Sequence, residues 1–235
     1  MPIRKPSSIG SIRRFIRLPF QRPHASFALT SPATPLTLAH WRRTVAEIYA
    51  DVRATSDGAA AAARYRAERD RLFAEHPDTP ISPADRRKWH GASWYPYDAK
   101  WRTTGIVEPA QSTAGFDIPL AADGVIRCTR VARIRFTIGG KNAALALYWF
   151  SGYGGGLWLP FSDATSGEST YGGGRYLYDT IKGADLGAGA DRLVLDFNFA
   201  YNPSCAYDDR WVCPLSPAEN SLPFAVTAGE RMPSA

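Results

Sequence analysis

The amino-acid sequence predicts a mainly β protein, α+β overall: an antiparallel barrel or sandwich of about eight strands preceded by an N-terminal helical hairpin. Helical periodicity is confined to residues 36–90, and from residue 91 short apolar segments alternate with Gly-rich turns. The chain has 235 residues, 45% hydrophobic and 12% aromatic, enough for one large cored domain. The expected organisation is a basic, disordered arm over 1–35, a helical segment over 36–90 packed on the β domain, and an antiparallel β domain over 91–235.

The elements follow in order. Leu38, Trp41, Val45, Ile48, Tyr49 and Val52 share one helical face. Thr37 is the expected cap, and the turn Ala54–Gly58 the stop. A second helix runs from Ala59 to Glu75 with Tyr65, Leu72 and Phe73 as apolar contacts, and Pro77 and Pro80 end it. Ser82 caps a short third turn with Pro83 at its first position. "WYPYD" reads as extended. Strands are expected over 103–108, 125–129, 131–138, 143–151, 156–162, 174–181, 192–200 and 222–228. In "RLVLDFNFA", Leu193, Leu195, Phe197 and Phe199 alternate with Val194, Asp196 and Asn198, so one face is apolar and the other carries polar groups.

Charge is unevenly spread. Residues 1–46 hold eight Lys/Arg and no acid, while the rest carries 20 basic and 22 acidic residues. A solvated extension, an organelle-targeting presequence and a weak nucleic-acid or membrane contact all fit the arm. The near-neutral β domain makes nucleic acid an unlikely partner. No run of about 18 apolar residues exists, so no helical membrane span is expected. Three cysteines, Cys128, Cys205 and Cys213, point to a reducing, cytoplasmic setting. Cys205 and Cys213 read as packed thiols or one disulfide. Their seven-residue separation lacks the spacing of structural zinc or of a Cys-x-x-Cys redox site, so no metal site is expected.

The stretch "DATSGESTYGGGRYL", Asp163–Leu177, resists simple assignment. Gly167 and Gly172 have phosphate-loop spacing, but Gly173 stands where the lysine is needed, and a strand pattern follows instead of a helix. A nucleophile elbow fails because Tyr171 replaces the second glycine after Ser169. All four histidines, His24, His40, His76 and His90, precede the β region, which disfavours a Ser–His triad. Asp163, Glu168, Asp196 and Glu230 are the carboxylates that could do acid–base work.

The first block then carries Phe161, Asp163, Thr165, Gly167, Thr170, Tyr171, Gly174, Arg175 and Tyr176. The second carries Asp196, Phe197, Asn198, Ala200, Tyr201, Asn202, Pro203, Cys205, Ala206 and Tyr207, followed by Cys213-Pro214, Pro217, Asn220 and Ala228-Gly229-Glu230. Together these blocks resemble the bacterial and archaeal family catalogued as domain of unknown function sixteen-eighty-four. The resemblance spans roughly Leu36–Glu230. It departs at Ser221, where that family commonly has a basic residue. It implies that both blocks belong to one module, and it implies no reaction.

Two readings of the blocks stay open. In one they build a small-molecule pocket, with Arg175 gripping an anionic ligand. Asp163, Thr165, Thr170, Asp196, Asn198, Tyr201, Asn202 and Tyr207 would complete its binding wall, with Tyr171 and Glu168 as acid–base candidates. In the other they form a structural Arg/Asp/Asn network, with Arg175 on Asp196 and Asp163 capping the turn, in a non-catalytic interaction module. There the partner would be a protein, met by Tyr207 and Trp211. Neither reading fixes a cofactor or decides whether the protein is an enzyme.

Overall fold

The computed structural model describes residues 32–120, 124–189 and 191–233. Most of the basic arm therefore lies outside the described residues. Helix α1 (Pro35–Ala54) is capped by Thr34 rather than Thr37. Thr34 Oγ1 accepts from Thr37 N at 3.2 Å, and Thr37 Oγ1 accepts from Thr34 N at 2.8 Å. Pro35 explains the shift. Its fixed φ suits the first helical position, where no N–H is required, so the cap falls just before it. Helix α2 (Gly58–Glu75) starts at Asp57, whose Oδ1 accepts from Ala60 N at 3.0 Å. The short α3 (Pro83–Arg86) has the expected Ser82 cap, with Ser82 Oγ accepting from Asp85 N at 3.1 Å.

Seven strands follow: β1 (Arg102–Pro109), β2 (Gly115–Leu120), β3 (Gly124–Ile138), β4 (Lys141–Phe150), β5 (Gly156–Phe161), β6 (Arg175–Asp179) and β7 (Arg192–Asp196). They form one antiparallel sheet curled into a half-barrel, in the order β6-β5-β4-β3-β1-β7, with β2 paired to β3. β3 is long enough to serve two neighbours on one side. Its first half pairs β2, its second half pairs β1, and a register shift between Arg130 and Ala132 on its β4 side marks the changeover. The two strands expected over 125–138 are thus one bulged strand.

Three departures from the sequence expectation have physical causes. β2 was not expected because Pro119 interrupts it. The strand tolerates proline because it pairs on one side only. β7 stops at Asp196, where the Asp196 carboxylate accepts from Asn198 N at 3.1 Å and turns the chain into the 3₁₀ turn Phe197–Phe199. Residues 222–228 are not a strand, although Leu222, Phe224, Val226 and Ala228 are buried in alternation. Leu222 N donates to Ser162 O at 2.8 Å and Phe224 O accepts from Ala164 N at 3.4 Å, while the backbone of Val226 meets side chains, as described below.

The helices share the core of the sheet. Ile48, Tyr49, Val52, Ala62 and Tyr65 belong to the same buried cluster as Trp158, Leu195 and Phe197. Fully burying one such large side chain stabilises by about 1.5–3 kcal/mol. Tyr65 meets Phe199 edge-on at 5.1 Å, which ties α2 to the turn after β7. α1 lies over the 3₁₀ turn Thr180–Lys182. The next residue, Gly183, has φ +86°, and a Cβ there would fall 2.8 Å from Ala46 N, so α1 can dock this closely only over glycine.

Candidate functional site

The two blocks do meet, but around closed networks. Arg175 is 1% exposed. Its Nη2 donates to Asp163 Oδ2 at 2.8 Å and to Val226 O at 3.0 Å. Its Nη1 donates to Glu230 O at 3.1 Å and to Ala228 O. Asp163 in turn accepts at Oδ1 from Thr165 N at 2.9 Å, Thr165 Oγ1 at 2.7 Å and Val226 N at 3.1 Å. Thr165 Oγ1 lies 2.8 Å from Thr170 Oγ1. Burial pulls the Arg175 pKa below the usual arginine range, and Asp163 opposes it. Within the segment 222–228 this ion pair serves Val226 N, Val226 O and Ala228 O. The anion-gripping face of Arg175 is therefore occupied by its own chain.

The expected pairing of Arg175 with Asp196 does not form. Asp196 sits opposite Arg102 in the β1–β7 register, and Arg102 Nη1 donates to Asp196 Oδ2 at 3.1 Å. Asp196 Oδ1 also accepts from Asn198 Nδ2 at 2.9 Å. Asn198 then brackets the backbone of Asp98, donating to its O at 2.9 Å and accepting from its N at 3.0 Å. These two residues pin the segment before β1.

Open space lies elsewhere, in a cleft between α1, α2 and the second block. Tyr49 and Tyr65 from the helices and Tyr176 and Tyr201 from the β domain line it, with Arg69, Lys182, Asn202 and Ser204 as further polar members. The cavity volume is about 60 Å³. Arg69 Nη2 donates to Glu230 Oε2 at 3.1 Å, and that oxygen also accepts from Asn202 N at 2.8 Å. Burial works against the Arg69 charge. Glu230 and the surrounding tyrosines outweigh it and hold the guanidinium above the usual arginine range. Burial pushes the Glu230 carboxyl up, with Arg69 opposing. Three buried polar atoms here have no protein partner: Arg69 Nε, Glu230 Oε1 and Asn202 Oδ1. At the other side Lys182 Nζ lies 3.5 Å from Asp179.

Of the sequence-derived candidates, Tyr201 and Asn202 line this cleft and Arg175, Asp163, Thr165, Thr170, Asp196 and Asn198 do not. Glu168 is exposed on its turn. The Tyr171 hydroxyl lies 3.6 Å from Cys205 Sγ, and burial with that thiol pushes the phenol up to about 12. Tyr207 packs edge-on against Phe73 at 5.3 Å and Trp89 at 6.0 Å, and Trp211 Nε1 donates to Pro80 O at 3.3 Å. The loop carrying both is thus anchored to the helical segment. Cys205 and Cys213 are free, adjacent thiols.

Sequence reasoning missed Arg69 and Lys182. The signal for Arg69 was present: it lies four residues after Tyr65 and four before Phe73, a cation on the apolar stripe of α2. Among the described residues, no helix is long and apolar enough to cross a membrane, and no group of three or more His, Cys, Asp or Glu is placed to hold a metal ion.

Fold and site together define a class: a curled antiparallel half-barrel carrying two helices, with a tyrosine-walled cleft where helices and sheet meet. The chain belongs to the family described as "Protein of unknown function (DUF1684)", whose model matches residues 87–231. A solution NMR structure of an uncharacterized protein of Haloarcula marismortui is similar, with 37% sequence identity and a TM-score of 0.53. The similarity covers 71% of this chain and 89% of that one. No curated protein matches.

Proposed function

We propose that this protein binds a small, largely apolar molecule in the cleft between α1, α2 and the Tyr176/Tyr201 side of the β domain, with the ligand's polar end at Arg69 and Asn202. The observation that carries this reading is the pair of unpartnered buried atoms among the cleft-lining residues, Arg69 Nε and Asn202 Oδ1. A buried polar atom without a partner costs about 1–3 kcal/mol, so two of them at one cavity favour a guest that supplies both an acceptor and a donor. The cations already have partners, Arg69 with Glu230 and Lys182 with Asp179. A neutral amide, alcohol or protonated acid thus suits the cleft better than the anion expected from Arg175. The volume sets the size. A buried water needs about 10–15 Å³ on this scale, so the enclosed part takes a few atoms and the rest of a ligand occupies the mouth.

The test is a thermal-shift screen of the full chain with small amides, phenols and short-chain acids, with Val45→Phe as the control. Val45 lines the cleft and is half-buried. A ligand present at about 100 times its Kd adds about 2.7 kcal/mol, or roughly 5–11 °C for a domain of this size. The gain should vanish in Val45→Phe. A screen in which no compound shifts the native protein, or in which Val45→Phe responds equally, overturns the proposal.

A further inference from the structure

The second block contains a feature that the cleft does not use. Cys205 and Cys213 flank an exposed loop, yet the fold returns one to the other: Cys205 N donates to Cys213 Sγ at 3.3 Å. Tyr171 reaches in from the Gly-rich turn with its hydroxyl 3.6 Å from Cys205 Sγ. Both cysteines are partly accessible, whereas Cys128 is fully buried. The Cys-x-x-Cys spacing absent from the sequence is replaced by tertiary closure of the loop.

We propose that Cys205 and Cys213 are a reversible dithiol–disulfide couple, in which the Cys205 thiolate attacks a hydroperoxide and Cys213 resolves the product. The arrangement is asymmetric in the way this chemistry requires. The neighbouring Cys213 thiol, the Tyr171 hydroxyl 3.6 Å from Cys205 sulfur and Lys182 together outweigh burial and draw the Cys205 pKa down to about 6. Cys213, facing that thiolate, is held protonated. The groups around the pair include Tyr171, Tyr176, Tyr201 and Lys182, whose ammonium lies 3.5 Å from the Asp179 carboxylate. In the first step the thiolate attacks the distal peroxide oxygen and the O–O bond breaks. Cys205 becomes the sulfenic acid, and the peroxide's other oxygen leaves as alkoxide or hydroxide, which takes a proton from solvent to become the alcohol or water. In the second step Cys213 sulfur attacks Cys205 sulfur, the S–S bond forms, and the hydroxyl departs with the Cys213 proton as water. A low-molecular-weight thiol restores the reduced pair by exchange. This inference does not rest on the cleft reading.

The test uses the reduced full chain, one equivalent of hydrogen peroxide or cumene hydroperoxide, alkylation of remaining thiols and peptide mass spectrometry. The expected result is loss of two hydrogens confined to a Cys205–Cys213 linked peptide, reversed by dithiothreitol, with Cys128 unchanged. In Cys213→Ser, or Cys213→Ala should the serine variant not fold, dimedone should trap the sulfenic acid on Cys205. Tyr171→Phe should slow iodoacetamide alkylation of Cys205 several-fold near about pH 6 and leave the rate near about pH 9 unchanged, because only the thiolate fraction moves. Peroxide treatment that leaves both cysteines alkylable, or dimedone labelling at Cys213 in preference to Cys205, overturns the proposal.

Discussion

Replacing Arg175 separates a structural ion pair from a ligand grip. Arg175→Met keeps most of the side-chain volume and removes every donor. In the native protein the Nη donors serve Asp163 Oδ2 and the carbonyls of Val226, Ala228 and Glu230, while Nε is buried without a partner. Breaking a buried pair by deleting one partner costs about 3–5 kcal/mol. Each carbonyl left buried without its donor adds about 1–3 kcal/mol, and the contributions within one network are not additive. We expect a loss of about 5 kcal/mol or more, comparable to the whole stability of many domains at about 5–15 kcal/mol. Urea unfolding followed by tryptophan fluorescence measures it. Arg175→Lys keeps the charge but not the planar fork, so it should fold and lose about 2 kcal/mol, which gives a readable value if the methionine variant does not fold. A loss below about 1 kcal/mol in Arg175→Met would refute the structural reading and return Arg175 to the list of ligand contacts.

Two further outcomes follow from the same region and from the helices. Gly174 has φ +88°, and a Cβ there would sit 2.7 Å from Phe161 O, whereas at Gly172 the nearest atom would be 3.6 Å away. Gly174→Ala should therefore cost at least about 2 kcal/mol and Gly172→Ala less than about 0.5 kcal/mol in denaturant unfolding; equal effects would contradict the geometry. Burial lowers the His76 pKa from 6.5 to about 4, with Asp78 opposing and His40 and Arg86 adding to the fall. The unfolded chain then binds the extra proton first, so stability is lost as pH falls from about 6.5 towards 4, by up to about 3 kcal/mol. His76→Gln should flatten that slope between unfolding curves at about pH 7 and about pH 4.5; an unchanged slope would assign the loss to other groups.

Much of the fold was legible because it rests on local rules. The helical stripes, the caps at Ser82 and near Thr34, and most strand positions follow from period and turn chemistry. The partner of Arg175 was not legible, for a definite reason. The expectation paired Arg175 with Asp196 because they lie on consecutive strands. Those strands are β6 and β7, which stand at opposite ends of the sheet order, and Asp196 faces Arg102 across the β1 register. The actual partner, Asp163, lies twelve residues upstream in the same block. A carboxylate two residues before a threonine reads as a turn cap. Here it both caps the turn, through Thr165 N, and holds the guanidinium.

The cleft was harder to foresee because neither of its walls is a site alone. The family model begins at residue 87, so it contains Tyr176, Lys182, Tyr201 and Asn202 but neither α1 nor α2. The helices complete the cleft, and one buried ion pair joins the two halves: Arg69 from α2 on Glu230 from the chain's last segment, 13% and 1% exposed. That carboxylate also accepts from the backbone N of Asn202. The polar end of the cleft is therefore set by the contact that docks α2. A substitution along the Tyr65–Arg69–Phe73 stripe changes cleft and docking together. Arg175 and Asp163 do not line the cleft, and Arg175 meets it through the carbonyl of Glu230, which accepts from Nη1 at 3.1 Å. Under the proposed function, ligand selectivity would follow from α2 and Asn202, whereas Arg175 and Asp163 of the Gly-rich stretch hold backbone of the β domain.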